Sequence, residues 1–185
     1  MNKVIVVGSG PAGASAAVQL AKSKVDVTVI ESVCFPRYCP GETLHPGIEP
    51  IFESLGVAEQ VNSMGFLRFP GILVRQIGEN AKTEFQPFGS DTTGPWMGYQ
   101  IPREILDQIL MNQAVRKGAT IIQPCRAIQP IRAGERVIGV ATDRGEFFSD
   151  WVVDATGRKN WLARHLKLGF EKRSNRKVVS YGCVE

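Results

Sequence analysis

The sequence predicts an α/β fold organised on a parallel sheet, and three stretches predict it. Val4-Ile5-Val6-Val7 is an apolar, mostly β-branched run, the pattern of a strand buried on both faces. Gly8-Ser9-Gly10-Pro11-Ala12-Gly13 follows, and Ala14 to Lys22 is rich in small, helix-compatible residues. Val25 to Ile30 reads as a second strand, closed by Glu31. Together they make a β-α-β unit with its glycines at the first strand-to-helix turn.

Each glycine has a mechanical task in such a unit. Gly8 allows the tight turn, Gly10 lets the backbone approach a pyrophosphate, and Gly13 lets the helix pack closely on the strand. The helix start, with Ser9, Pro11 and Ala12 around it, offers free N–H groups and a positive dipole end to an anion, a dipole contribution of ~0.3–2 kcal/mol. Glu31 stands where an acid binds a ribose hydroxyl. Glycines at this spacing also occur in ordinary loops. Here strand, turn, helix, second strand and terminal acid agree on a nucleotide site. The motif alone does not separate flavin from nicotinamide dinucleotides, since both carry adenosine and pyrophosphate.

The chain has 185 residues, 43% hydrophobic and 22% charged, the composition of an ordinary globular protein of about one domain. The formal net charge is +4, and the densest basic run, Lys172-Arg173-Ser174-Asn175-Arg176-Lys177, reads as a solvated loop with no nucleic-acid motif beside it. No stretch is long and apolar enough for a transmembrane helix, and the N-terminus leads directly into the first strand, so neither membrane span nor signal peptide is expected. Cys34, Cys39, Cys125 and Cys183 lack metal-site spacing and the histidines are only His45 and His165. The expectation is free thiols, no metal site and a cytoplasmic protein.

Ser32 to Gly47 is punctuated by Pro36, Pro40, Pro46 and glycines, a long loop that leaves the strand holding Glu31 and can run along a bound dinucleotide. Cys39 and His45 within it read as solvated or packed. Gly47 to Glu59 carries helical apolar spacing at Ile48, Ile51, Phe52 and Leu55 and closes at Gly56. Phe66 to Gln76, with a break at Pro70-Gly71, then Lys82 to Pro87 and Trp96 to Ile101 read as antiparallel strands of a second sheet. Trp96, Met97 and Tyr99 are candidates for a pocket wall or for core.

Pro102 suits a helix start, and Ile105, Leu106, Ile109 and Leu110 give that helix its apolar stripe, ending at Gly118. Arg103 then lies in the first turn facing the positive dipole end, a poor place for a cation without an anion to bind. Ala119 to Gln123 reads as a short buried parallel strand, and Cys125 to Ile131, Arg136 to Thr142 and Glu146 to Ser149 as a meander. A buried strand runs from Trp151 into Asp154-Ala155-Thr156-Gly157, where Asp154 organises the turn and Gly157 permits close backbone contact. Val178 to Val184 starts another strand.

The N-terminal Gly-Ser-Gly-Pro-Ala-Gly, the Pro36-Arg37 to Gly41-Glu42 segment, the Pro102-Arg103 to Leu106-Asp107 helix and Asp154-Ala155-Thr156-Gly157 resemble the FAD-dependent oxidoreductases of the aromatic-hydroxylase, geranylgeranyl-reductase and flavin-halogenase superfamily. The resemblance implies a Rossmann-like FAD-binding domain with a parallel sheet and β-meander, plus an inserted antiparallel substrate-domain sheet. Its segments would be 1–65 and 102–170 for FAD binding, 66–101 for the cap sheet, and 171–185 for the start of a second substrate segment. It puts Arg37 near the phosphate-ribose region, Gly41, Glu42 and Thr43 near the flavin, Arg103 against the cofactor, and the backbone of Arg126-Ala127 at adenine. The family's third fingerprint, Gly-Asp-Ala, has no match, so the resemblance covers only the first part of a family-length protein.

By the same resemblance, the expected activity is monooxygenase-type hydroxylation of an aromatic or protein-bound substrate, with NAD(P)H as a reductant and no catalytic residue to name. Cys39 to Gly47 looks most like the flavoproteins that help form tryptophan-derived quinone cofactors. A flavin-dependent halogenase is the first alternative. It would need a lysine near the flavin and a Trp-x-Trp-x-Ile-Pro segment, whereas Trp96-Met97-Gly98-Tyr99-Gln100-Ile101-Pro102 lacks the second tryptophan. An isoprenoid double-bond reductase and a truncated nucleotide-binding module complete the alternatives. An open edge at 178–184 would favour homo-association.

Overall fold

The computed structural model describes residues 2–78 and 81–169, with 171, 173 and 175. The expected strand at 178–184 lies outside them. The chain begins β1 (Lys3–Val7), α1 (Pro11–Lys22), β2 (Asp26–Ile30), β3 (Thr43–Leu44), α2 (Glu49–Leu55), α3 (Ala58–Ser63). It continues through β4 (Leu67–Phe69), β5 (Gly71–Arg75), β6 (Thr83–Pro87), β7 (Ser90–Asp91), β8 (Gly94–Pro95), β9 (Gly98–Gln100) and α4 (Arg103–Arg116). Then come β10 (Thr120–Ile122), β11 (Ala127–Ala133), β12 (Arg136–Thr142), β13 (Gly145–Phe148), β14 (Trp151–Asp154) and α5 (Trp161–His165).

The central sheet is all parallel in the order β10-β2-β1-β14. Its middle strand explains the layers. Successive side chains of a strand point to opposite faces, and Val4, Ile5, Val6 and Val7 are all buried. Val4 and Val6 join a core with Ala14, Ala17 and Val18 of α1 and Leu106, Ile109 and Leu110 of α4. Ile5 and Val7 face the other way, into a core with Ile30, Cys125 and Val140, against which Phe147 and Trp161 pack. Helices therefore cover one face and the antiparallel meander β11-β12-β13 the other.

The helix expected from Gly47 closes at Gly56 as its sequence indicates: Gly56, with φ of 74°, stops α2, and the chain restarts as the separate α3. Two other expectations change. The single antiparallel sheet expected over 66–101 is instead three small ones: β3-β9-β4, the hairpin β5-β6 and the hairpin β7-β8. The strand expected over 96–101 is only Gly98–Gln100, because Ser90–Asp91 and Gly94–Pro95 pair locally around a turn held by Asp91.

Candidate functional site

A cavity of about 780 Å³ opens at the C-terminal ends of β1, β2, β10 and β14. That edge of a parallel sheet is where ligands of open α/β folds bind. It is lined by Gly8, Gly10, Pro11, Ala12, Glu31, Arg37, Arg103, Arg126, Ala127, Ala155, Thr156 and Gly157, all anticipated from sequence. The structure adds Val7, Ile30, Ser32, Val33, Cys39, Cys125, Arg158, Lys159, Trp161 and Arg164.

The glycine turn is built by close approach. Gly8 has φ of 99°, and its N–H donates to Ile30 O at 2.8 Å, which ties the turn to β2. A methyl on Gly13 would lie 1.9 Å from Gly8 O, and one on Gly8 would lie 2.7 Å from Ala155 O. The second turn is thus pressed against Gly8 and Gly13. Gly157, expected to make that contact, has open space where a methyl would stand, with nothing within 4 Å, and instead supplies a φ of 61°. At Gly10 a methyl would meet only two guanidinium nitrogens, Arg37 Nη2 at 3.7 Å and Arg103 Nη2 at 3.8 Å. Gly10 caps α1 with extended backbone and Pro11 fills the first helical position, so the free N–H groups of this helix start beside the two guanidiniums.

Glu31 is 5% exposed. Its Oε2 accepts from Ser9 N at 2.9 Å and Ser9 Oγ at 3.1 Å, and its Oε1 from Ser32 Oγ at 3.1 Å and Val33 N at 3.0 Å. Burial pushes the carboxyl up, but the Ser9 and Val33 N–H donors and the Arg37 charge outweigh it and hold the group below its ordinary value. A carboxylate has about four acceptor sites. The four hydrogen bonds from Ser9, Ser32 and Val33 occupy these sites on Glu31, two of them from serine hydroxyls. Ser9 faces Glu31 and is fully buried, so its side chain braces the acid from outside the cavity.

Arg103 donates from Nε and Nη2 to the two carboxylate oxygens of Asp107, at 2.8 and 2.9 Å, and from Nη1 to Pro40 O at 3.2 Å. The Asp107 hydrogen bonds raise the guanidinium's pKa despite its burial. Arg37 Nη2 lies 3.9 Å from Asp107 Oδ2, and its guanidinium stands 5.0 Å above the Phe35 ring. Asp107 is fully buried. Sequence reading missed it, although its i,i+4 spacing from Arg103 was the available signal.

Beyond the second turn, Asp154 Oδ1 accepts from Thr156 N and Oγ1, and Oδ2 from Leu162 N at 2.7 Å. It shapes the turn and the start of α5, and stands behind the cavity wall. Gly41 approaches Arg103 Nη1 but does not line the cavity. Glu42 and Thr43 are tied to Gln100 of β9, through Gln100 Nε2 at 3.2 Å and Gln100 Oε1 at 2.9 Å, also outside it. Tyr99 is core, 2% exposed, with its hydroxyl at 3.0 Å from Glu49 and Arg68 over its ring. Trp96 is exposed and donates to Asp91 at 3.0 Å.

Among the described lining residues Glu31 is the one carboxylate, against six cations: Arg37, Arg103, Arg126, Arg158, Lys159 and Arg164. A helix N-terminus, open space before Gly10, surplus positive charge and a buried acid near the ends of β1 and β2 fit an adenosine with a diphosphate. FAD meets this requirement. Among the described residues no three His, Cys, Asp or Glu side chains cluster to hold a metal, and no helix is long and apolar enough to cross a membrane.

The sequence family described as FAD binding domain matches residues 1–183. Tryptophan 2-halogenase of Chondromyces crocatus is 30% identical over 188 residues, which cover 98% of this chain and 35% of that protein. A 1H-pyrrole-2-carbonyl-[peptidyl-carrier protein] brominase of Pseudoalteromonas luteoviolacea (strain 2ta16) is 32% identical over 165 residues, 87% of this chain and 39% of that one. Among solved structures, the myxobacterial chondrochloren halogenase CndH matches with a TM-score of 0.80 at 26% identity, covering 89% of this chain and 39% of its own. The chain thus spans between a third and two-fifths of these relatives' lengths.

Proposed function

Because this chain belongs to the FAD binding domain family, we propose that it forms the FAD-holding part of a flavin-dependent halogenase acting on an aromatic ring, free or carried on a protein. FAD is its cofactor. What supports halogenation is the alignment of halogenases along almost the whole chain. The bound flavin supplies the redox and oxygen-activating chemistry.

The chain's own residues bind and orient. The N–H groups at the start of α1, with Arg103 and Arg37, receive the diphosphate, each charged hydrogen bond being worth ~1.5–3 kcal/mol. Glu31 takes a ribose hydroxyl, and Ala127, with the backbone of Arg126 fixed by its N–H to Asp143 Oδ1 at 2.8 Å, borders adenine. Gly41, Glu42 and Thr43 carry the loop toward the flavin end, held to β9.

A second reading, oxygen insertion rather than halogenation, is favoured by one observation. Residues 96–102 lack the tryptophan pair, and Tyr99 is sealed in the core with its hydroxyl on Glu49. Product analysis separates the two. The protein is supplied with FAD, a flavin-reducing system using NAD(P)H, oxygen, and tryptophan or a pyrrole-loaded carrier protein, with and without bromide. A product whose mass carries the bromine isotope pair supports halogenation. A halide-independent gain of one oxygen supports the second reading and overturns the first.

A further inference from the structure

Asp107 lies one turn into α4 with its side chain fully buried. Helix energetics do not account for it. An i,i+4 pair with the cation on the N-terminal side is the less favourable order, and Arg103 in the first turn faces the positive dipole end. A buried carboxylate is costly unless paired and hydrogen-bonded. Both Asp107 oxygens are committed to Arg103, at 2.8 and 2.9 Å, and Oδ2 also draws Arg37 Nη2 to 3.9 Å. The outcome is geometric: the Nη2 atoms of the two arginines come out together beside Gly10, 3.8 and 3.7 Å from where a methyl there would stand. Two cations with one carboxylate leave net positive charge in front of a helix N-terminus. Arg37 Nε is buried there with no hydrogen-bond partner among the described residues.

We propose that Asp107 is a positioning residue for the cofactor, one buried carboxylate that aims Arg103 and Arg37 jointly at the dinucleotide's diphosphate. The inference rests on the FAD reading of the cavity. It makes the clamp a three-residue unit spanning α4 and the loop after β2, in which the acid acts only through the two arginines.

The test compares two probes, ADP, which carries the diphosphate, and adenosine, which lacks it, by calorimetric titration of the purified protein. Asp107→Asn is expected to weaken ADP by about ten- to a hundredfold, the loss of one or two aimed charged contacts, while adenosine stays within about twofold. A merely structural role would weaken both probes alike, and that result overturns the proposal, as does unchanged ADP affinity. Should Asp107→Asn fail to fold, the pair Arg103→Ala and Arg103→Ala/Asp107→Ala decides. The double variant leaves no unpaired buried charge and is expected to bind ADP close to Arg103→Ala alone, because the acid has lost its principal ligand. A double variant that binds ADP a further tenfold or more weaker than Arg103→Ala overturns the proposal. If the unmodified protein binds neither probe, the dinucleotide reading itself fails and the clamp with it.

Discussion

Gly13→Ala probes how the glycine turn is built. The added methyl would lie 1.9 Å from Gly8 O, 2.9 Å from Gly8 C and 3.0 Å from Ala155 Cβ, whereas ordinary contact begins at 3.4 Å. Those neighbours cannot easily give. Gly8 is held to β2 through Ile30 O at 2.8 Å, and Ala155 to β1 through Val7 O at 2.9 Å. The helix must move instead, lifting Ala14, Ala17 and Val18 from Val4 and Val6. Overpacking costs ~1–3 kcal/mol, and a clash with backbone belongs at the upper end. Alanine's better helix propensity returns ~1 kcal/mol. A net loss of about 2 kcal/mol is expected, read as a lower urea midpoint with unchanged slope. The same displacement moves the N–H groups beside Gly10, so FAD affinity should fall about tenfold or more, equivalent to ~1.4 kcal/mol. Wild-type stability together with wild-type FAD affinity would refute the close approach of α1 to the turn.

Arg103→Lys should weaken FAD nearly as much as Arg103→Ala, because an ammonium cannot span both Asp107 oxygens and still face the diphosphate; titration with flavin fluorescence reads it, and wild-type affinity in both variants contradicts it. Glu31 is held below the ordinary carboxyl value of 4.5, so its stabilising effect is present above that pH and is lost as pH falls through the lower folded value. Denaturation midpoints should therefore drop more steeply on acidification in the wild type than in Glu31→Gln, and parallel curves would contradict this. Asp91 is lowered to about 2 by the Thr93 hydroxyl, the Trp96 indole and the Thr93 N–H. The Trp96 fluorescence difference between wild type and Asp91→Asn should persist on acidification and vanish only as pH falls through about 2; loss near 3.8 would contradict it.

The parts legible in the sequence are those set by local pattern. Val4 to Val7 announces a strand buried on both faces, and Gly8, Gly10 and Gly13 stand where turn, open space and close packing require them. Pro102 and Arg103 mark the helix start within a residue. What stays hidden depends on contacts between distant segments. Arg103 at its helix start does need an anion, yet the anion present in the structure is Asp107 of its own helix, joined by Arg37 from the loop after β2. Likewise Glu31 announces itself as a strand-end acid with neighbours Ser32 and Val33 as donors, but Ser9 reaches it only once β1 and β2 pair. The strands over 66–101 fall into three small sheets rather than one because alternation specifies strands and not their partners. The basic residues Arg158, Lys159 and Arg164 follow the Asp154 turn directly, and their place on the cavity wall comes from how that turn packs on Gly8.

A crystal structure of the protein grown with FAD tests the central claim most directly. The diphosphate is expected between the start of α1 and the Arg37 and Arg103 guanidiniums, with the ribose on Glu31 in place of a serine hydroxyl and the adenine beside Ala127. A dinucleotide seated elsewhere, or one lying in this cavity with its diphosphate out of reach of both arginines, would contradict it.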